Sequence, residues 1–253
     1  MTRQPVKQGK PCPHCQPENT GLSVWPALRY GRHMLITFTN TKGGVGKSTL
    51  ACHLAIWLHD KGFRVAMLDT DEQQSSARWI QAAEPGITLV VAHKIDEIRK
   101  ARTTLLETHD VVVADSPGSS GDASHSVTLL ADLAIVPLQP SKLDVWGVAD
   151  ALKFVRLAQE MGGSRKPEAA IVLTFTAKGD VQTKELRRQL QSLELGATIA
   201  RSEIRRLNAF RDACGSAVTR KRDPRSQDAA GDIDALFMEL LADKLFRSKA
   251  ANE

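Results

Sequence analysis

Apolar and polar positions along this chain fall into two alternating patterns. Short, mostly β-branched apolar runs at Met34–Asn40, Arg64–Leu68, Thr88–Ala92, Val111–Ala114, Leu133–Pro137 and Ala169–Phe175 lack a polar face, as strands covered on both sides require. Between them, apolar residues recur at helical spacing over Ser48–Asp60, Gln74–Ala82, Ile95–Glu107, Val145–Gln159 and Thr183–Leu193. This βαβα order predicts an α/β fold, a mostly parallel twisted sheet with helices on both faces. No internal repeat or linker divides residues 34–253, which are expected to form one domain.

Residues 1–33 break the pattern. They hold five of the eleven prolines and show no periodicity, so they are expected to be a disordered or loosely attached leader. A methionine at the boundary leaves open that Met34 is the true start. No apolar run approaches the ~20 residues of a membrane span, and no apolar segment marks the N-terminus for secretion. A cytoplasmic protein without a membrane partner is the expectation. Four cysteines in 253 residues do not make a disulfide framework. Cys12-Pro13-His14-Cys15 is a single C-x-x-C with no second pair at zinc spacing, so no metal site is expected there.

The chemistry concentrates in one loop. Lys42-Gly43-Gly44-Val45-Gly46-Lys47-Ser48-Thr49 joins the first strand to the first helix, the context that a phosphate-binding loop needs. Glycines let the backbone curl so that N–H groups face phosphates, and the helix N-terminus adds partial positive charge. Lys47 is expected to reach the β- and γ-phosphates, and the Ser48 hydroxyl to bind Mg²⁺. The sequence is therefore expected to be a P-loop NTPase that binds ATP.

Two aspartates close later strands. Leu68-Asp69-Thr70-Asp71-Glu72-Gln73 follows the second, and Val111–Ala114 runs into Asp115-Ser116-Pro117-Gly118. Carboxylates at the C-terminal ends of parallel strands face bound phosphates.

The loop has Thr41 where a common phosphate loop has its first glycine, followed by the extra lysine Lys42. In this it resembles the deviant Walker A box of the ParA/MinD family of ATPases. The acidic motifs resemble that family's in the same order, with Asp69, Asp71 and Gln73 matching D-x-D-P-Q and Glu72 in place of the proline. The resemblance implies that Lys42 reaches the ATP of a partner subunit in an ATP-dependent homodimer. It further implies that Asp71 positions the attacking water and Asp69 helps organise Mg²⁺. Asp115 would hold Mg²⁺ through a water, and the Gly118 N–H would sense the γ-phosphate. Ile171–Thr176 looks like the family's late strand toward the adenine site. Ile204-Arg205-Arg206 lacks the family's proline, which argues against an adenine role for that loop.

The net charge of +5 resides mostly in the leader, so a nucleic-acid argument needs a local patch. Arg201–Arg225 holds eight bases against three acids. Within it Arg220, Lys221 and Arg222 are consecutive and precede Pro224, which predicts an exposed loop that contacts DNA phosphates without sequence preference. Cys52 and Cys214 read as core residues, unlike the paired cluster ligands of nitrogenase-iron-protein relatives. Asp232–Arg247 has a mixed-charge polar face and is expected to pack on the domain, unlike the basic membrane helix of MinD. The short leader cannot hold the DNA-reading domain of long ParA proteins. The resemblance thus implies a small ParA-type protein, nucleoid-associated, that positions a plasmid, chromosome or other cargo with a cargo-bound ParB-like activator. The alternatives are a nucleotide-gated interaction protein in conjugative DNA transfer and a MinD-like membrane-recruited regulator.

Overall fold

The computed structural model describes residues 33–118, 121–140, 144–162, 166–193 and 195–246. Residues 1–32, Cys12 and Cys15 among them, and Arg247 lie outside the described residues.

Seven strands form one sheet: β1 (Met34–Phe38), β2 (Val65–Asp69), β3 (Thr88–Val91), β4 (Val111–Asp115), β5 (Leu133–Leu138), β6 (Glu168–Thr176) and β7 (Thr198–Arg205). Their order is β3-β2-β4-β1-β5-β6-β7, and every neighbouring pair is parallel. The apolar runs are continuous because both faces are covered. In β1, Ile36 and Phe38 join one core cluster and Leu35 another on the opposite face, and all three are fully buried. The strand order reverses around β1, so the loops leaving β1, β2 and β4 open onto one crevice at their carboxyl ends.

The helices are α1 (Lys47–Asp60), α2 (Ser75–Ala83), α3 (Ile95–Thr108), α4 (Asp122–Leu130), α5 (Asp144–Gly162), α6 (Val181–Ser192), α7 (Asn208–Asp212) and α8 (Pro224–Leu241). The α1 helix is buried almost all round, with Leu50, Leu54, Ile56 and Leu58 at 1% exposure or less. It lies between the sheet and α8, whose Ile233, Leu236, Phe237 and Leu241 share its core cluster. Each such side chain contributes roughly 1.5–3 kcal/mol by burial. The last helix therefore packs on the domain, as its mixed-charge face suggested.

Among the elements that differ from the sequence expectation are β7, α4 and α8. The strand β7 was not anticipated, because Arg201, Ser202 and Glu203 interrupt its apolar pattern. It is an edge strand, and α8 covers that edge: the Glu239 carboxylate accepts the Arg201 and Ser202 N–H groups at 2.7 and 2.8 Å, and Asp232 accepts that of Arg205 at 3.0 Å. The α4 helix was not among the expected helices, because its serines, threonine and histidine leave few apolar positions. Finally, α8 starts at Pro224, well before Asp232. Asp223 caps it by accepting the Ser226 N–H at 3.1 Å, with proline at the first helical position.

Candidate functional site

The loop after β1 curls back on itself at Gly44 (φ 74°) and Gly46 (φ 98°), and Gly46 caps α1. Neighbours pin it from outside. The Asn40 side chain accepts the Lys42 N–H at 2.9 Å and donates to the Pro137 carbonyl at 2.7 Å. Gln139 Nε2 donates to the Gly44 carbonyl at 2.8 Å, and Thr174 Oγ1 donates to that of Val45 at 3.0 Å. Carbonyls that would repel a phosphate are thus held by donors. Val45 is fully buried, and Thr49 lies where the loop meets the wall of a cavity.

The two lysines of the loop occupy different surroundings. Lys47 is 6% exposed, and its ammonium donates to the Lys42 carbonyl at 3.0 Å across the loop. Burial lowers its pKa, while the Asp115 and Asp71 carboxylates oppose that shift. Lys42 is exposed on the rim.

Parallel pairing sets Asp69 and Asp115 side by side at the ends of β2 and β4, both fully buried. Their environments differ. Neither oxygen of Asp115 accepts a hydrogen bond within bonding geometry. Burial pushes its pKa up to about 7; the nearby Ser48 hydroxyl offsets part of that, and the Asp69 carboxylate adds to it. A buried, unsatisfied carboxylate beside a hydroxyl on a phosphate loop fits a hard divalent cation such as Mg²⁺. Ser48 and Asp115 are the residues that would hold it.

Asp69 has another task. Its Oδ2 accepts Ser76 Oγ at 2.7 Å and the Ala77 N–H at 2.8 Å, while Oδ1 accepts the Asp71 N–H at 2.9 Å. Asp69 thereby anchors the start of α2 and holds the backbone of Asp71. Asp71 stands half-buried at the crevice and accepts the Gln73 N–H at 2.9 Å. Gly118 lies against the loop, where an added β-carbon would come within 3.2 Å of the Gly43 α-carbon and 3.4 Å of the Lys47 ammonium. The structure therefore brings Gly43, Lys47, Ser48, Asp71, Asp115 and Gly118 to one mouth.

A cavity of ≈ 580 Å³ opens beside the loop, between Gly46, Thr174, Phe175, Arg206, Phe210 and Trp79. A register shift between β6 and β7 turns Phe175 outward at φ 55°, and the Arg206 guanidinium lies 5.7 Å from its ring centre. Gln74, which leads into α2, is the other non-glycine residue with positive φ among the described residues. Phe175 lines this cavity, and Gln74 lies between Asp71 and α2. The missing proline argued against a role for the 204–213 loop, yet Ile204, Arg206 and Phe210 line the cavity. Sequence motifs also missed Trp79 and, behind it, the fully buried His53. Only their helical spacing in apolar stretches signalled burial.

The basic run is corrected in part. Arg220 is not a free loop cation. Its guanidinium bonds Asp60 at 2.5 Å and Glu84 at 2.8 Å and donates to the Ala83 carbonyl, which raises its pKa. Lys221 donates to the Asp212 carbonyl. Arg205 is likewise paired, with Asp232 at 2.8 Å. Arg222 and Arg225 are exposed. The expected loop is short because Asp223 and Pro224 start α8 immediately.

Residues 36–217 match the family described as the CobQ/CobB/MinD/ParA nucleotide binding domain. The chain is 24% identical over 212 residues to maintenance of carboxysome distribution protein A of Halothiobacillus neapolitanus, covering 81% of this chain and 95% of that protein. It is 30% identical over 147 residues to the ParA protein of Rhizobium radiobacter, covering 56% of this chain and 65% of that one. Its fold superposes on the ATP complex of a Cyanothece McdA variant with a TM-score of 0.69 at 14% identity, over 83% of this chain and 97% of that one. With the phosphate loop, the paired strand-end aspartates and the adjoining cavity in place, the chain belongs to the CobQ/CobB/MinD/ParA nucleotide-binding family and is an ATPase of the ParA/MinD type.

Proposed function

We propose that this ATPase positions a plasmid, chromosome region or other large cargo through an ATP-gated homodimer that binds DNA without sequence preference. The observation that carries this reading is the division of the loop's lysines: Lys47 is buried in its own site, and Lys42 is exposed on the rim, where a second subunit's nucleotide would meet it. The likeness to the Halothiobacillus protein over 95% of that protein's length supports a positioning role. Among the described residues, no helix is long and apolar enough to cross a membrane.

In this account the Lys47 ammonium neutralises the β- and γ-phosphates, and loop N–H groups orient them. Mg²⁺ held through Ser48 and Asp115 supplies further charge neutralisation. Asp71 orients the attacking water, and the Gly118 N–H registers whether the γ-phosphate is present. Lys42 completes the partner's site, so hydrolysis and dimer state are linked. A cargo-bound ParB-like activator accelerates turnover and releases the dimer from DNA. The protein works in the cytoplasm, on the nucleoid. DNA contacts come from Arg222 and Arg225, whereas Arg220 is engaged by Asp60 and Glu84.

The test is binding to several unrelated DNA duplexes with ATP–Mg²⁺ and without nucleotide, across a salt series. Equal, ATP-dependent and salt-sensitive binding to all of them is expected. Absence of DNA binding at low salt would contradict the proposal.

A further inference from the structure

Trp79 enters the base cavity from α2, the helix that leaves the loop carrying Asp71. Its indole is fixed on two sides. Nε1 donates to the Ser216 carbonyl at 2.7 Å, and the ring meets His53 edge-on with centroids 5.6 Å apart. His53 meets Phe210, another cavity wall, in the same way at 5.6 Å.

His53 cannot turn without losing two hydrogen bonds. The Val218 N–H donates to its Nε2 at 3.2 Å, which leaves the proton on Nδ1, 2.7 Å from the Thr49 carbonyl at the end of the phosphate loop. Trp79 therefore leans on a support tied to that loop. At the start of α2, the Asp69 carboxylate holds Ser76 and Ala77 through one oxygen and the Asp71 N–H through the other. Asp71 and Trp79 sit at the two ends of one short piece of chain that a single buried carboxylate joins to the sheet.

We infer that Trp79 is a positioning residue: the base of a purine nucleoside triphosphate in the cavity bears on its indole, and α2 carries that contact to Asp71. The water-orienting carboxylate is then set only when a base-bearing nucleotide is seated. This rests on reading the cavity beside the loop as the base site and Asp71 as the water-orienting group.

The experiment compares wild type, Trp79→Ala and Trp79→Phe by calorimetry, with a non-hydrolysable ATP analogue and with inorganic triphosphate, each with Mg²⁺. Steady-state kcat and KM for ATP are measured alongside. In Trp79→Ala the Kd for the analogue rises about tenfold or more and kcat falls, because a wall of the cavity and its link to Asp71 are gone. The Kd for inorganic triphosphate, which has no base, stays within about twofold of wild type. Trp79→Phe keeps an aromatic wall and recovers most of the loss. A purely structural role would weaken both ligands together. That result, or unchanged analogue binding and kcat in Trp79→Ala, overturns the inference.

Tryptophan fluorescence gives a readout that does not depend on Trp79→Ala folding. Wild type changes emission with the analogue but not with inorganic triphosphate, and Trp79→Phe loses that change. The same change in Trp79→Phe as in wild type overturns the inference. Wild type that binds neither ligand refutes the loop reading beneath it, and this inference with it.

Discussion

Gly118 and Gly43 touch: a β-carbon on Gly118 would come within 3.2 Å of the Gly43 α-carbon. The loop after β4 is thus packed directly on the phosphate loop, with little room for a side chain at position 118. Gly118→Ala would make the backbone at Gly43 give by a few tenths of an ångström. Because the neighbour is backbone at the catalytic mouth, we expect kcat to fall about tenfold to a hundredfold while Tm changes by only a few degrees. Steady-state ATPase assays with thermal melts check this. Wild-type turnover would show that the two loops separate during catalysis.

Asp115→Asn should stabilise the nucleotide-free protein and abolish Mg²⁺-dependent turnover. Burial raises the pKa of Asp115 from 3.8 to about 7, so its ionisation opposes folding. The stability associated with the protonated group is complete below the unfolded pKa and lost as pH rises through about 7. The penalty at pH 8 is of the order of a few kcal/mol. The Tm of Asp115→Asn minus that of wild type should therefore grow from pH 4 to pH 8. A flat difference would contradict the unpaired state of this carboxylate.

His53 acts with the opposite sign in an overlapping window. Burial lowers its pKa from 6.5 to about 4. The unfolded chain takes up the proton first, so this contribution is complete above about 6.5 and lost as pH falls toward 4. The advantage of wild type over His53→Gln in Tm should shrink across that range, by the equivalent of about 3 kcal/mol at most. Because Asp115 and His53 oppose each other, the wild-type pH curve alone conceals both. The variant differences separate them.

Arg220→Ala should lower stability and spare DNA binding. It removes the hydrogen bonds to Asp60, Glu84 and Ala83. Discounted for solvent screening, the loss is about 1–2 kcal/mol. Arg222→Ala with Arg225→Ala should leave Tm unchanged and reduce the salt slope of DNA binding by about 0.9 for each phosphate that is no longer neutralised. Fluorescence anisotropy across a salt series measures this. Equal salt slopes in that double variant and wild type would move the DNA surface elsewhere.

The parts of this site that were legible in the sequence are those whose residues are neighbours in the chain. Lys42–Thr49 is one turn of backbone, and Asp71 and Asp115 follow apolar runs that could only be buried strands. The strand order then brings their ends together at the reversal around β1. The cavity beside the loop was hidden because its walls and their supports come from distant segments: Trp79 and Ser216 are 137 positions apart, and His53 and Val218 are 165 apart. The same distance concealed Arg220, whose partner Asp60 lies 160 residues earlier. The edge strand β7 escaped notice because α8 supplies carboxylate acceptors for its N–H groups, so the strand needs no continuous apolar run.

If ATP gates a dimer through Lys42, sedimentation velocity of Asp71→Ala with ATP–Mg²⁺ is the decisive experiment. With Asp71 in the proposed water-orienting role, its loss should leave nucleotide binding intact and halt the cycle before hydrolysis. We expect a stable species of twice the protomer mass with ATP–Mg²⁺, a monomer without nucleotide, and a monomer again when Lys42→Ala is added. A monomer at saturating ATP in Asp71→Ala, or a dimer that persists without Lys42, would contradict ATP-gated dimerisation through this lysine.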